Sequence, residues 1–272
     1  MKNISLGQYY PGNSILHRTD PRMKLILSFL YILSSFLCRN IISFALLLLS
    51  AIGLILISRI PMSLIMKSLK PVLFILSFTV VINIFWTSGE TLLFEWKFIH
   101  IYLEGIMNAV FMVLRIFVLI VGASLFLTYT TTPIALTDAI EQLFAPLKKI
   151  KIPVHEFAMM MTIALRFIPT LIDETDKIMS AQKARGADFS SGSLMSRAKA
   201  LIPILIPLFV SSFRRADELA MAMECRCYHG GEGRTRMNIL HYGVLDIIAL
   251  FVMLLFGAAL IAFNILDIGY TM

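Results

Sequence analysis

An all-α, polytopic membrane protein is the fold class this sequence predicts, with about five membrane-spanning helices and a cytoplasmic platform of long helices. Three observations predict it. Apolar residues make up 58% of the 272 and the mean hydropathy is +0.82, a composition suited to lipid surroundings. Five long apolar runs, at residues 23–38, 41–57, 71–86, 105–128 and 240–266, approach the ~20 residues that cross a bilayer. Lys and Arg are spread unevenly among the segments between them, which fixes an orientation.

The first run begins late, ends in Cys38-Arg39-Asn40 without a small-residue cleavage pattern, and leads at once into the second. It is therefore expected to stay in the membrane and not to serve as a cleaved signal. Just before it, Asp20-Pro21 reads as a helix start, with aspartate at the cap and proline in the first turn. Arg18, Arg22 and Lys24 precede the first run, and Arg59, Lys67 and Lys70 separate the second from the third. Both segments are expected on the cytoplasmic side. The segment 87–104 carries Glu90, Glu95 and Glu104 against Lys97, and Asp267 follows the fifth run, so both are expected outside. The chain is thus expected to be a multi-pass protein of the cell membrane with its N-terminus cytoplasmic and its C-terminus outside. It divides into residues 1–128 with four spans, a cytoplasmic stretch 129–239, and residues 240–272 with the fifth span.

The cytoplasmic stretch holds fourteen Lys/Arg against eleven Asp/Glu. The net charge of +7 then serves orientation and attraction to the membrane surface, and no nucleic acid partner is expected. Residues 131–147 read as a short helix, opened by Thr131-Thr132-Pro133 and closed by Ala145-Pro146. Residues 153–189 read as a long helix with an apolar stripe at Val154, Phe157, Met161, Leu165, Ile168, Ile172 and Met179. Residues 194–228 read as another, with Leu201, Leu205, Leu208, Ser212, Ala216, Leu219 and Met223 on one face. Each would extend on the order of 50 Å. Pro169 in the first, and Pro203 and Pro207 in the second, are expected to bend them.

A short signature occurs once in each long helix: Asp176, Ala181 and Arg185, then Asp217, Ala222 and Arg226, every member displaced by 41 positions. The copies end in Ala184-Arg185-Gly186 and Cys225-Arg226-Cys227, each followed by helix-breaking glycine. A guanidinium offers five donors in a rigid fork and complements the negative end of a helix dipole. Small flanking residues admit a partner's backbone, and Gly186 suits a left-handed helix end. The alternative is that each arginine only caps its own helix.

Enzyme signatures fail on inspection of the residues. His155-Glu156 opens like a zinc-protease motif, but Met159 stands where the second histidine is required. Cys225, Cys227 and His229 lack a fourth ligand, and positions i and i+2 of a helix point apart. The run Gly230-Gly231-Glu232-Gly233 lacks the Lys-Ser/Thr of a phosphate loop and follows a helix instead of a strand. With two of the three cysteines on the reducing side, no disulfide is expected. Arg115, near the middle of the fourth run, would cost about 2.5 to 3.5 kcal/mol in lipid and must face protein or water. Either a functional surface or a hydrogen bond to a neighbouring helix would satisfy it.

The opening GQYYPGNSILHRTDPRMKL, the AQKARGADF segment and the AMECRCYHGGEGRTR segment resemble the T component, the transmembrane coupling subunit, of energy-coupling factor transporters. The resemblance spans nearly the whole chain. It implies a subunit that is not itself an ATPase and has no cofactor of its own, ATP being bound by two related cytosolic ATPases. It also implies a substrate-capturing membrane S component for a vitamin or micronutrient. The docking motifs of that family map onto Ala184, Arg185 and Gly186, and onto Cys225, Arg226 and Cys227, where Cys225 and Cys227 replace the usual Ala and Gly. Two alternatives remain: a T component dedicated to cobalt or nickel, and, from another class, an intramembrane enzyme or self-contained secondary transporter. The latter would place several ionisable residues inside the spans, where Arg115 and Asp246 stand nearly alone.

Overall fold

The computed structural model describes residues 9–87, 91–96, 99–187, 189, 193–231 and 239–266. The sequence readings at Glu90, Lys97, Glu232, Gly233 and Asp267 fall outside them. The chain is predominantly helical, in the order α1 (Ile15–Arg18), α2 (Pro21–Leu37), α3 (Ile41–Ser58), α4 (Met62–Trp86), β1 (Leu92–Trp96), β2 (Ile99–Tyr102), α5 (Leu103–Ala123), α6 (Pro133–Leu143), α7 (Val154–Ala184), α8 (Leu194–Cys225) and α9 (Val244–Ile265). A π-helical turn (Ser124–Thr128) prolongs α5, and a 3₁₀ turn (Ala145–Ile150) follows α6. Residues 9–139 with 239–266 form one compact unit and 140–231 another, dividing inside α6 between Ala139 and Ile140.

The first unit is a bundle in which α2 packs on α5 and α9, and α3 and α4 pack on α5. Its centre is Tyr31, only 2% exposed, with Phe126 and Phe256 against its ring and its hydroxyl 3.2 Å from Ser50 Oγ. Gly122 makes this possible, because a Cβ there would lie 2.3 Å from the tyrosine ring. Leu47, Val118, Leu125 and Leu260 complete the buried layer. Most other apolar side chains of α4 and α9, from Phe74 to Phe251, are exposed, as lipid-facing surfaces are.

Polar residues close the bundle at both ends. At one end Asp20 caps α2 by accepting from Arg22 N at 2.8 Å, while its own amide donates to Asp246 Oδ1 at 2.8 Å. Arg22 donates to Asp20 Oδ2 and to Leu240 O, each at 2.9 Å, and lies 3.9 Å over the Tyr242 ring. Lys24 Nζ donates to Thr130 O at 2.8 Å. At the other end Asn40 donates to Phe263 O at 3.3 Å, Ser43 donates to Asn264 Oδ1 at 3.2 Å, and Asn264 donates to Leu37 O.

The helix boundaries correct several expectations. Lys67 and Lys70, read as loop residues, lie within α4, which starts at Met62 and continues through Pro71. A proline forfeits one backbone bond, and a long helix bridges that loss. The last apolar run starts its helix at Val244, not 240, so Asp246 sits in the first turn, where Gly243 N donates to its Oδ2 at 2.7 Å. Its carboxylate thus completes the start of the helix. The segment 87–104 contains a two-stranded antiparallel hairpin that pairs Trp96 with Ile99, with an irregularity between Leu92 and Phe94.

Among the described residues five helices are long and apolar enough to cross a membrane: α3, α4, α5 with its π turn, α7 and α9. Two of these outcomes differ from the sequence reading. Helix α2 has 17 residues, about 26 Å at 1.5 Å per residue, one turn short of a comfortable span. Helix α7 qualifies by length, although its most apolar window reaches a mean hydropathy of only 1.2, against 2.6 for α5 and 2.8 for α9. The chain is an all-α, multi-pass membrane protein with one short hairpin.

Candidate functional site

The second unit is built mainly from α7 and α8, of 31 and 32 residues. Propensity and a one-sided apolar pattern favour these helices, and Pro169, Pro203 and Pro207 lie inside them without ending them. They run in opposite directions: Glu174 meets Ser211 and Arg215, Arg215 lies 5.8 Å over the Phe167 ring, and Ile163 faces Leu219 and Met223 across a shared groove. Little is buried here, Ala158 and Ile204 being among the few residues almost fully covered.

Both copies of the arginine signature end in the same backbone device. At the end of α7, Arg185 is the cap residue and Gly186 turns left-handed at φ 87°. Gly186 N donates to Lys183 O and Ala187 N to Gln182 O, both at 3.0 Å. At the end of α8, Arg226 is followed by Cys227 at φ 56°; Cys227 N donates to Glu224 O at 2.8 Å and Tyr228 N to Met223 O at 3.1 Å. Each is a Schellman ending, in which the orphan carbonyls of the last turn are satisfied by the backbone beyond it. The guanidiniums are therefore not needed as caps. Among the described residues neither Arg185 nor Arg226 makes a side-chain hydrogen bond or ion pair, and both are exposed.

The neighbours of both arginines are accessible. Asp176, Ala181, Ala184 and Gly186 are exposed, as are Asp217, Ala222, Cys225 and Cys227. Each end thus presents a cation with five free donors beside small or short side chains. Beyond the second end, Gly231 lies against His155, where a Cβ would approach Cδ2 to 2.5 Å, and His155 Nδ1 is 2.9 Å from Glu141 Oε1. His155 is thus placed as a packing and hydrogen-bonding residue. Among the described residues no group of three His, Cys, Asp or Glu could hold a metal ion.

Sequence reasoning missed the residue pair that joins the two helices. Glu174 and Arg215 are joined at 2.8 Å and are separated by the same 41 positions as the signature residues. That offset was the signal that could have found them. Arg185 and Arg226 each stand eleven positions beyond their member of this pair, about 16 Å along the helix axis.

Arg115 lies in the other unit. Its Nη2 donates to Cys38 O at 2.9 Å, and the guanidinium stands 5.2 Å over the Phe44 ring. Although midway along α5, it reaches the carbonyl just past the end of α2. The hydrogen bond to a neighbouring helix is the arrangement observed.

A family model described as a cobalt transport protein (CbiQ) matches residues 12–237. A protein of Ruminiclostridium cellulolyticum named energy-coupling factor transporter transmembrane protein EcfT is 58% identical over 248 residues, 91% of this chain and 92% of the relative. The protein of that name from Bacillus subtilis is 51% identical over 240 residues, 88% and 90% of the two chains. The one from Thermosediminibacter oceani is 47% identical over 272 residues, 100% and 98%.

Proposed function

The chain belongs to the family of energy-coupling factor transporter transmembrane proteins, and from that premise we propose that it couples ATP hydrolysis in partner subunits to substrate movement across the membrane. Two homologous cytosolic ATPases dock on the exposed ends of α7 and α8. Arg185 enters one with Ala184 and Gly186 beside it, and Arg226 enters the other with Cys225 and Cys227. A membrane S component captures a vitamin or micronutrient and reorients as the ATPase pair closes. The subunit itself performs no catalysis and binds no cofactor.

The observation that carries this reading is the pair of backbone-capped helix ends whose arginines have no partner among the described residues. A residue that its own helix does not employ is available to another chain. Charge-assisted hydrogen bonds from such a fork are worth about 1.5 to 3 kcal/mol.

In this reading the cytoplasmic face is the end of the bundle that holds Asp20, Arg22, Lys24 and Asp246, and the N-terminus lies there. Helices α2, α3, α4, α5 and α9 cross the membrane, which leaves the C-terminus outside. Helix α7 lies at the inner surface, since its low hydropathy and its signature charges suit an interface better than a lipid core. A dedicated cobalt or nickel carrier is the second reading, favoured by the description of the matching family model.

The test is co-purification of both ATPases with the Arg185→Ala/Arg226→Ala double variant in mild detergent. We expect the ATPases to be lost while the membrane subunit remains monodisperse. ATPases retained at the level of the unmodified protein would overturn docking through these residues.

A further inference from the structure

We propose that Glu174 is the pivot between α7 and α8, a positioning residue that sets their crossing angle and thereby the spacing of Arg185 and Arg226. The functional consequence rests on the docking reading; the geometric claim does not.

Three features of the contact support it. First, both carboxylate oxygens of Glu174 are engaged from α8: Oε1 accepts from Ser211 Oγ, and Oε2 accepts from Arg215 Nη2 at 2.8 Å. Two acceptors on one carboxylate, held by donors one turn apart on the facing helix, define a direction and not merely a distance. Arg215 is itself oriented from α7, because its guanidinium lies over the Phe167 ring. The contact is thus a closed set of side chains that belongs equally to both helices.

Second, the apolar contact beside the pair is partly open. A groove of about 280 Å³ lies beside the pair, between Ile163, Phe167 and Leu171 of α7 and Leu219 and Met223 of α8. Apolar burial is non-directional, and without close packing it permits the helices to rotate over one another. Specificity of angle then falls to the polar contact. The pair is about a quarter exposed, at 24% for Glu174 and 29% for Arg215, so it adds little stability; its contribution is orientation.

Third, the pair occupies equivalent positions of the 41-residue repeat. Equivalent positions that touch lie on the local symmetry axis of two similar arms. Each arginine is eleven positions from that axis, so a rotation about it moves both ends equally. With arms of about 16 Å, a 10° change in crossing angle alters the spacing of the two ends by at most about 3 Å. An off-centre contact would move one end more than the other.

The experiment measures the spacing directly. Nitroxide labels go on cysteines introduced at Lys183 and Glu224, themselves 41 positions apart, in the full chain with Cys38, Cys225 and Cys227 replaced, in lipid nanodiscs without ATPases. Glu174→Ala, Glu174→Gln and Arg215→Glu are compared with the charge-exchanged Glu174→Arg/Arg215→Glu. We expect the distance distribution to widen about twofold in each single variant and to narrow again in the exchange, where the fork and carboxylate meet with their helices swapped. Unaltered widths in the single variants overturn the pivot, as does an exchange variant as broad as the singles. Because no ATPase is present, these outcomes are independent of whether the arginines dock. In the assembled transporter the single variants should still retain both ATPases and hydrolyse ATP, with substrate uptake per ATP lowered several-fold.

Discussion

The two arginine-bearing helix ends are built alike from unlike residues. At the end of α7 the left-handed position is Gly186, which has no Cβ to resist it; at the end of α8 it is Cys227, which does. A side chain in that region costs roughly 1 to 2 kcal/mol, yet both ends close with the same two backbone bonds. The backbone ending, not the residue type, is what the two copies share. The carbonyls at both ends are satisfied without the arginines, which leaves both side chains for a partner.

The largest expected effect separates the ends by function. Arg185→Ala and Arg226→Ala should each weaken ATPase retention at the altered site tenfold to a hundredfold, from the loss of about 1.5 to 3 kcal/mol. The remaining end should hold part of the complex by effective concentration. Titration of purified ATPases against each single variant measures this. We expect the Arg226 end to contribute less, because Cys225 and Cys227 are bulkier than Ala184 and Gly186; equal losses would erase the difference.

A smaller effect tests the glycine. Gly186→Cys should impose on the first end the strain that the second already bears, about 1 to 2 kcal/mol, and should raise amide exchange in the last turn of α7 about tenfold or more. Exchange unchanged at Gly186 and Ala187 would mean that the first end does not depend on glycine. The smallest effect is the converse substitution. Cys227→Gly relieves the side-chain strain but loosens the unfolded chain, for a net gain of about 0.5 to 1 kcal/mol. Slower exchange at Tyr228 would confirm the gain, and faster exchange would show that Cys227 holds the turn by a contact of its own.

Much of the second unit was legible in the sequence. The short helix, the two long helices and both arginine endings fall within a few residues of their expected places, because helical periodicity and glycine punctuation are local signals. The Asp20-Pro21 cap was legible for the same reason. What escaped depended on charge read without geometry. Lys67 and Lys70 looked like loop residues because lysine opposes membrane burial, yet a helix can begin in the interface and carry them. The hairpin between Leu92 and Tyr102 was hidden in a segment read only for its glutamates. The Glu174–Arg215 contact carried one signal, the 41-position offset shared with the arginine signature, and that offset gains meaning only once the two helices are laid across each other. Arg115 was legible as a residue that must face protein, but its acceptor, the carbonyl of Cys38 just past the end of α2, lies 77 positions away and has no local signal.

Asp20 and Asp246 meet although 226 positions separate them. The amide of the α2 cap is completed by a residue made 226 positions later, and Arg22 closes over Leu240 and Tyr242 in the same step. During translation the earlier helices therefore wait with an open seam until α9 is inserted. Helix α9 fastens α2, so the order in which these helices join is written into the ring of bonds at that end.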